Sequence, residues 1–184
     1  MSIINRGTGA GGANTNKNGL PYEELTDLRT EYKEHSSDKY SSEISFNSHP
    51  NNTLIRTNQS KMFKCMDKHI DSSIKKAHGC KNPDECYIDH NNKNLFIMEK
   101  KFQQVPGSVC EKIQTSHFKE WQYNRTLPKY NIVYIYCLSS WFKTNCQAEL
   151  EYLKEHEVPV FWGDSPTYKK DIVRYIIDYI TNCK

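Results

Sequence analysis

The sequence predicts a mixed α/β domain, a central sheet flanked by helices. Three observations carry this. A hairpin-like unit, "PDECYIDHNNKNLFIMEKK" (83–101), pairs two strand-like runs across a turn-rich tip. A β-branched and aromatic run, "NIVYIYCL", reads as a further strand. Helical patterns stand before, between and after them, in the order helix, helix, hairpin, helix, strand, helix, strand, helix.

Taken in order, "GTGAGGANTNKNG" (7–19) is a Gly- and Asn-rich arm, and residues 1–19 are expected to be flexible. The arm lacks the preceding strand and the Lys-Ser/Thr ending that a P-loop requires. "LPYEELTDLRTEYKE" reads as a helix with Tyr22, Leu25, Leu28 and Tyr32 on one face. Residues 35–60 are polar and are expected to be loosely structured. A second helix is expected over 60–78, with Phe63, Met66, Ile70 and Ile74 aligned and Gly79 ending it. After the hairpin, Ser108 and Glu111 form a capping box, so a helix starts near Val109 and runs to about Trp121. Residues 146–156 look helical and "VPVFW" is a short strand. Ser165 and Pro166 open a last helix with Ile172, Val173, Ile176, Ile177 and Ile180 on its apolar face.

With 184 residues the chain is long enough for one domain with a real core, although only 36 % of it is apolar. A net charge of +3 excludes no partner class, and the first 22 residues hold Arg6 and Lys17 with no acid, which permits a phosphate partner. The seven cysteines are odd in number and include no Cys-x-x-Cys, which fits free thiols in a reducing, cytoplasmic setting. No secretory h-region and no membrane-length apolar run is seen, so no membrane association is expected.

The hairpin carries the chemistry. If it is symmetric about residues 91 and 92, residue i faces residue 183 − i, and Asp84 lies opposite Glu99. Glu99 and Lys101 are two apart and share a strand face, while Lys100 points the other way. "LFIM" is apolar on both faces, as in a central strand. Two carboxylates on adjacent strands repel unless a cation joins them. Hard oxygen donors in small number suit Mg²⁺. The alternative is a turn residue after Pro83 and a solvated strand end.

"PD" at 83–84 followed by "EKK" at 99–101 resembles the PD-(D/E)xK nuclease superfamily. "NGLPYEE" is similar to its helix-borne acid, and "EKKFQQVPGSVCEKIQ" resembles the segment after the catalytic strand in small type II restriction endonucleases. The resemblance covers residues 7–29 and 83–119. It implies a restriction-endonuclease-like core and Mg²⁺-dependent, sequence-specific hydrolysis of double-stranded DNA, on a single nuclease domain acting as a homodimer. Asp84 and Glu99 would hold the metal. Glu23 would add a ligand, with Glu24 as the alternative on the same helix. Lys101 would orient or deprotonate the attacking water. In-line hydrolysis would proceed without a covalent intermediate. The superfamily's strand between the first helix and the hairpin must come from 36–59, where "EISF" and "TLIR" are the candidates.

The DNA-binding candidates are Asn14, Asn16 and Lys17 on the arm, Gln103 and Gln104 after the strand, Ser108 at the helix start, and Lys112 with Lys119, seven apart on the expected helix. Each has a structural alternative: loop polarity for the glutamines, capping for Ser108, a solvated face for the lysines. Two further functions fit the same residues: a structure-specific repair or recombination nuclease, and a DNA-binding protein without activity.

Overall fold

A computed structural model describes residues 21–105 and 109–182. Seven strands form one sheet in sequence order. They are β1 (Tyr32–Ser37), β2 (Ser42–Phe46), β3 (Thr53–Thr57), β4 (Glu85–Asp89), β5 (Asn94–Lys101), β6 (Asn131–Leu138) and β7 (Val160–Trp162). The first five run antiparallel to their neighbours, and β6 and β7 continue parallel to β5. Two parallel connections require crossovers, and the chain supplies helices for both.

The opening segment departs from the single helix expected over 20–34. Among the described residues helix α1 covers 21–25 and ends there. The Thr26 hydroxyl then donates to the Tyr22 carbonyl at 2.7 Å, and the Asp27 carboxylate accepts the Arg29 N–H at 2.7 Å. The Thr26 N–H keeps its helical bond to the same carbonyl, and it is the Asp27 side chain that draws the Arg29 N–H out of the ladder. The chain makes a short 3-10 turn (Arg29–Glu31) and enters β1. Tyr22, Leu28 and Tyr32 are buried as expected, but Leu25 is 53 % exposed.

The segment 35–60, expected to be loose, carries the end of β1 and all of β2 and β3. "EISF" and "TLIR" are both strands. Ile44, Phe46 and Leu54 fill one face, and Asp38 closes the first hairpin by accepting the Tyr40 and Ser41 N–H groups at 2.8 and 2.9 Å.

Helix α2 (Lys61–His69) stops nine residues before the expected end at 78. Asp71 accepts the Ser73 N–H at 2.9 Å, so an Asx turn replaces the next helical turn. The helix expected from Val109 to Trp121 is two helices, α3 (Val109–Ile113) and α4 (Ser116–Thr126). Thr115 breaks it by donating its hydroxyl to the Lys112 carbonyl at 2.7 Å. Lys112 and Lys119 therefore do not share one helical face. The 146–156 helix is preceded by a short turn of its own, giving α5 (Trp141–Asn145) and α6 (Gln147–Glu155). The last helix, α7 (Tyr168–Asn182), buries all five residues of its expected apolar face.

Two apolar layers result, one on each side of the sheet. Leu95, Ile97, Tyr134 and Tyr136 pack with α2 to α6. Phe96, Met98, Val133 and Ile135 pack with α1 and α7. Alternation along β5 feeds both layers, which is why its sequence is apolar throughout.

Cys110 and Cys146 form a disulfide, a correction to the expectation of free thiols. Packing of α3 against α6 brings their Cα atoms to 5.7 Å, a tertiary juxtaposition that a separation of 36 residues does not announce. Cys65, Cys80, Cys86 and Cys137 are free and buried. Among the described residues no helix is long and apolar enough to cross a membrane.

Candidate active site

The hairpin register is the expected one. Glu85 pairs with Met98, Cys86 with Ile97 and Asp89 with Asn94, so each pair sums to 183. Continuing it places Asp84 opposite Glu99. The Lys100 N–H donates to Asp84 Oδ2 at 2.8 Å, which fixes the aspartate at the mouth of the strand pair.

Asp84, Glu99 and Lys101 share the face that carries Cys86, Leu95 and Ile97. Lys101 Nζ contacts Glu99 Oε1 and lies 3.8 Å from Asp84 Oδ2. Glu99 is only 8 % exposed, more enclosed than a strand-end residue would be, whereas about a third of the Asp84 side chain meets solvent. A second ammonium joins from α4: Lys119 Nζ lies 2.8 Å from the same Glu99 Oε1. Strand β6, on which Tyr136 pairs with Glu99, adds Tyr134, whose phenol lies beside Glu99 and whose ring faces Lys119 at 6.0 Å.

The electrostatics divide the two acids. Burial raises the Asp84 pKa, Lys101 opposes and Glu99 adds to the rise, leaving Asp84 above the usual carboxylate range. Burial also raises the proton affinity of Glu99, but Lys101 and Lys119 outweigh it and hold Glu99 below its ordinary value. Burial lowers the Lys101 pKa, but Glu99 and Asp84 outweigh it and leave the pKa raised, so Lys101 is held as an ammonium. A pair of like groups pushed apart by environment is what acid-base and metal sites require.

Glu23 on α1 is exposed, yet its charge acts on both Asp84 and Lys101. Glu23 and Glu24 both line a polar cleft of about 320 Å³ that reaches Asp84, with Asp27, Arg56, Gln59 and Lys61 on its walls. Gln59 takes a left-handed φ of 45° there, and its N–H is held by the Pro83 carbonyl at 2.8 Å, next to Asp84.

Lys100, as expected, points to the opposite face. It meets Glu85 Oε2 at 2.8 Å, and Arg56 meets Glu85 Oε1 at 2.7 Å. Nothing in the sequence singles out this second cluster, since its members come from three strands.

The donor chemistry of Asp84 and Glu99 fits a hard divalent ion. The Lys101 ammonium stands between the two carboxylates, and ligand closure requires it to move off Glu99. Glu23, Asp84 and Glu99 do not converge within 4.8 Å. Among the described residues only Cys110, Cys146 and Glu149 offer three ligand atoms that close together, and the disulfide consumes both of those thiols.

Of the DNA-binding candidates, Asn14, Asn16, Lys17 and Ser108 lie outside the described residues. Gln103 donates its side-chain N–H to the Val105 carbonyl at 2.6 Å, and its backbone N–H is held by Ser139 Oγ at 3.2 Å. Gln104 and Lys112 are exposed. Lys119 is turned inward to Glu99 instead of outward to solvent.

No protein-family model, no curated protein and no solved structure matches this chain.

Proposed function

We propose that the chain is a Mg²⁺-dependent endonuclease that hydrolyses double-stranded DNA in the manner of a type II restriction enzyme. The observation that supports it best is the meeting of Asp84, Glu99 and Lys101 on one face at the mouth of β4 and β5, in the register that the motif requires. In this reading Asp84 and Glu99 hold the ion, and Glu23 reaches it directly or through water. Bound Mg²⁺ would polarise the scissile phosphate and supply hydroxide from a coordinated water.

Lys101 starts as an ammonium, so its part is to orient water and to stabilise charge growing on phosphorus, not to act as a free base. The Lys100 N–H fixes the Asp84 carboxylate, which would hold the ion. Gln104, free of the internal bond that occupies Gln103, is the better placed of the two to read a base edge. Cutting both strands of a symmetric site calls for two active sites, hence a twofold dimer. Sedimentation of the chain with and without duplex DNA tests that assembly; a monomer in both states overturns it. Incubation of supercoiled plasmid with and without Mg²⁺ tests the activity. Discrete linear fragments are expected with the ion and none without it. Fragments of no fixed size would replace the site-specific reading with a structure-specific one.

A further inference from the structure

Helix α4 buries polar side chains and exposes aromatic ones. Its buried residues are Ser116, Gln122, Tyr123 and Thr126, on the side that also carries Lys119 to Glu99. A surface helix ordinarily turns its apolar stripe to the core and its polar groups to solvent. Here Phe118 and Trp121 are 59 % and 49 % exposed. Their rings stack at 5.7 Å, and the Arg125 guanidinium lies 5.0 Å from the Trp121 ring. Positions 118, 121 and 125 have the spacing of one helical face. On the flank His117 packs edge-on against Tyr152 of α6, so the aromatic surface continues onto a second helix. Exposed aromatic rings beside an arginine have the composition of a protein contact.

Charge narrows the partner. Helices α4 and α6 together hold four acids, Glu120, Glu149, Glu151 and Glu155, against Arg125, Lys154 and the inward-turned Lys119. That balance does not attract a polyanion such as nucleic acid. The stripe is instead complementary to itself. In an antiparallel pair of α4 helices, with a twofold axis beside Trp121, Arg125 covers the partner's Phe118 and Trp121 meets the partner's Trp121. We propose that this face of α4 is the contact of a twofold homodimer. The proposal names the surface behind the two copies that the nuclease reading calls for, and it rests on that reading for its purpose but not for its test.

The test is sedimentation of the full chain over a concentration series, with circular dichroism to confirm folding. Wild type is expected to be a dimer. Trp121→Ala should raise the dimer dissociation constant at least about thirtyfold. Phe118→Ala, which removes the ring under the partner's Arg125, should raise it as well. A residue at a twofold axis meets its own copy, so the sign of a charge placed there should not matter. Trp121→Glu and Trp121→Lys should each be monomers alone. Mixed in equal amounts, the two variants should associate more tightly than either does by itself. A wild-type chain that stays monomeric, or a folded Trp121→Glu or Trp121→Lys that dimerises like wild type, overturns the proposal. So does a mixture no tighter than its components. Plasmid incubation with Mg²⁺ is followed in parallel. If the variants dissociate as expected but wild type cuts no DNA, the nuclease reading fails and the contact stands. If wild type cuts and sediments as a dimer that the variants leave intact, only the present inference fails.

Discussion

The two faces of the β4–β5 pair carry two charge clusters built from adjacent residues, and they differ in kind. On one face Glu85 is 2 % exposed and lies between Arg56 and Lys100, with the Tyr87 hydroxyl donating to it at 2.9 Å. Burial raises its proton affinity, but Lys100 and Arg56 outweigh this and bring its pKa below the ordinary value. On the other face about a third of the Asp84 side chain meets solvent, and burial of the rest pushes its pKa up. The first cluster has every charge satisfied by protein. The second holds a carboxylate, Asp84, that is partly exposed and incompletely paired; the polar cleft does not separate the two, since Glu85, Arg56 and Lys100 line it as well. Strand alternation separates the two, since 84 and 85, like 99 and 100, face opposite ways. The lesson is that a buried ion-pair network and a candidate site can share a backbone, and solvent access with incomplete pairing tells them apart.

The contrast breaks most sharply in activity. Asp84→Asn or Lys101→Ala should cut plasmid cleavage at least about a hundredfold while thermal unfolding stays near that of wild type. Cleavage at wild-type rate by either folded variant would move the site elsewhere.

On the opposite face the outcome should reverse. Glu85→Ala strands Arg56 and Lys100 and should cost about 3–5 kcal/mol of stability, read by denaturant unfolding. The loss should depend on pH. Because the folded pKa of Glu85 lies below its ordinary 4.5, its contribution is present above that value and is lost as pH falls through the folded pKa. The gap between wild type and Glu85→Gln should narrow in that acid range. A gap that widens there would contradict the assigned charge state.

Smaller effects test the proposed DNA face. With Ca²⁺ in place of Mg²⁺, Gln104→Ala should lose about 1–3 kcal/mol on a cognate duplex and little on a scrambled one. Gln103→Ala should matter less for base reading, because its side chain already serves Val105. Lys112→Ala should weaken both duplexes alike and reduce the salt slope by about one unit. Equal losses for Gln104→Ala on both duplexes would make it a backbone contact.

Much of the hairpin was legible because its physics is local. A turn-rich tip fixes the register, and the period of two then assigns faces to Asp84, Glu99, Lys100 and Lys101. The β6 strand and α7 were legible through apolar runs. The element ends were not. Asp27, Asp71 and Thr115 stand where helices end and bond nearby backbone with their side chains, a choice that apolar spacing does not report. β2 and β3 were legible only as the candidates "EISF" and "TLIR", because each is five residues long and lies in a polar segment. The meeting of Lys119 with Glu99 depends on how α4 packs on β6, so the sequence could place Lys119 only on a helix. The Glu85 cluster and the Cys110–Cys146 bond are likewise products of tertiary packing.

The most direct test of the central claim compares wild type and Glu99→Ala on supercoiled plasmid across a Mg²⁺ titration, with folding of both checked by circular dichroism. Glu99 is the residue on which both lysines and the proposed ion converge. The account predicts Mg²⁺-dependent linear fragments from wild type and intact plasmid from folded Glu99→Ala at every Mg²⁺ concentration. Cleavage by folded Glu99→Ala at the wild-type rate, or wild-type cleavage that persists undiminished in chelator, would contradict it.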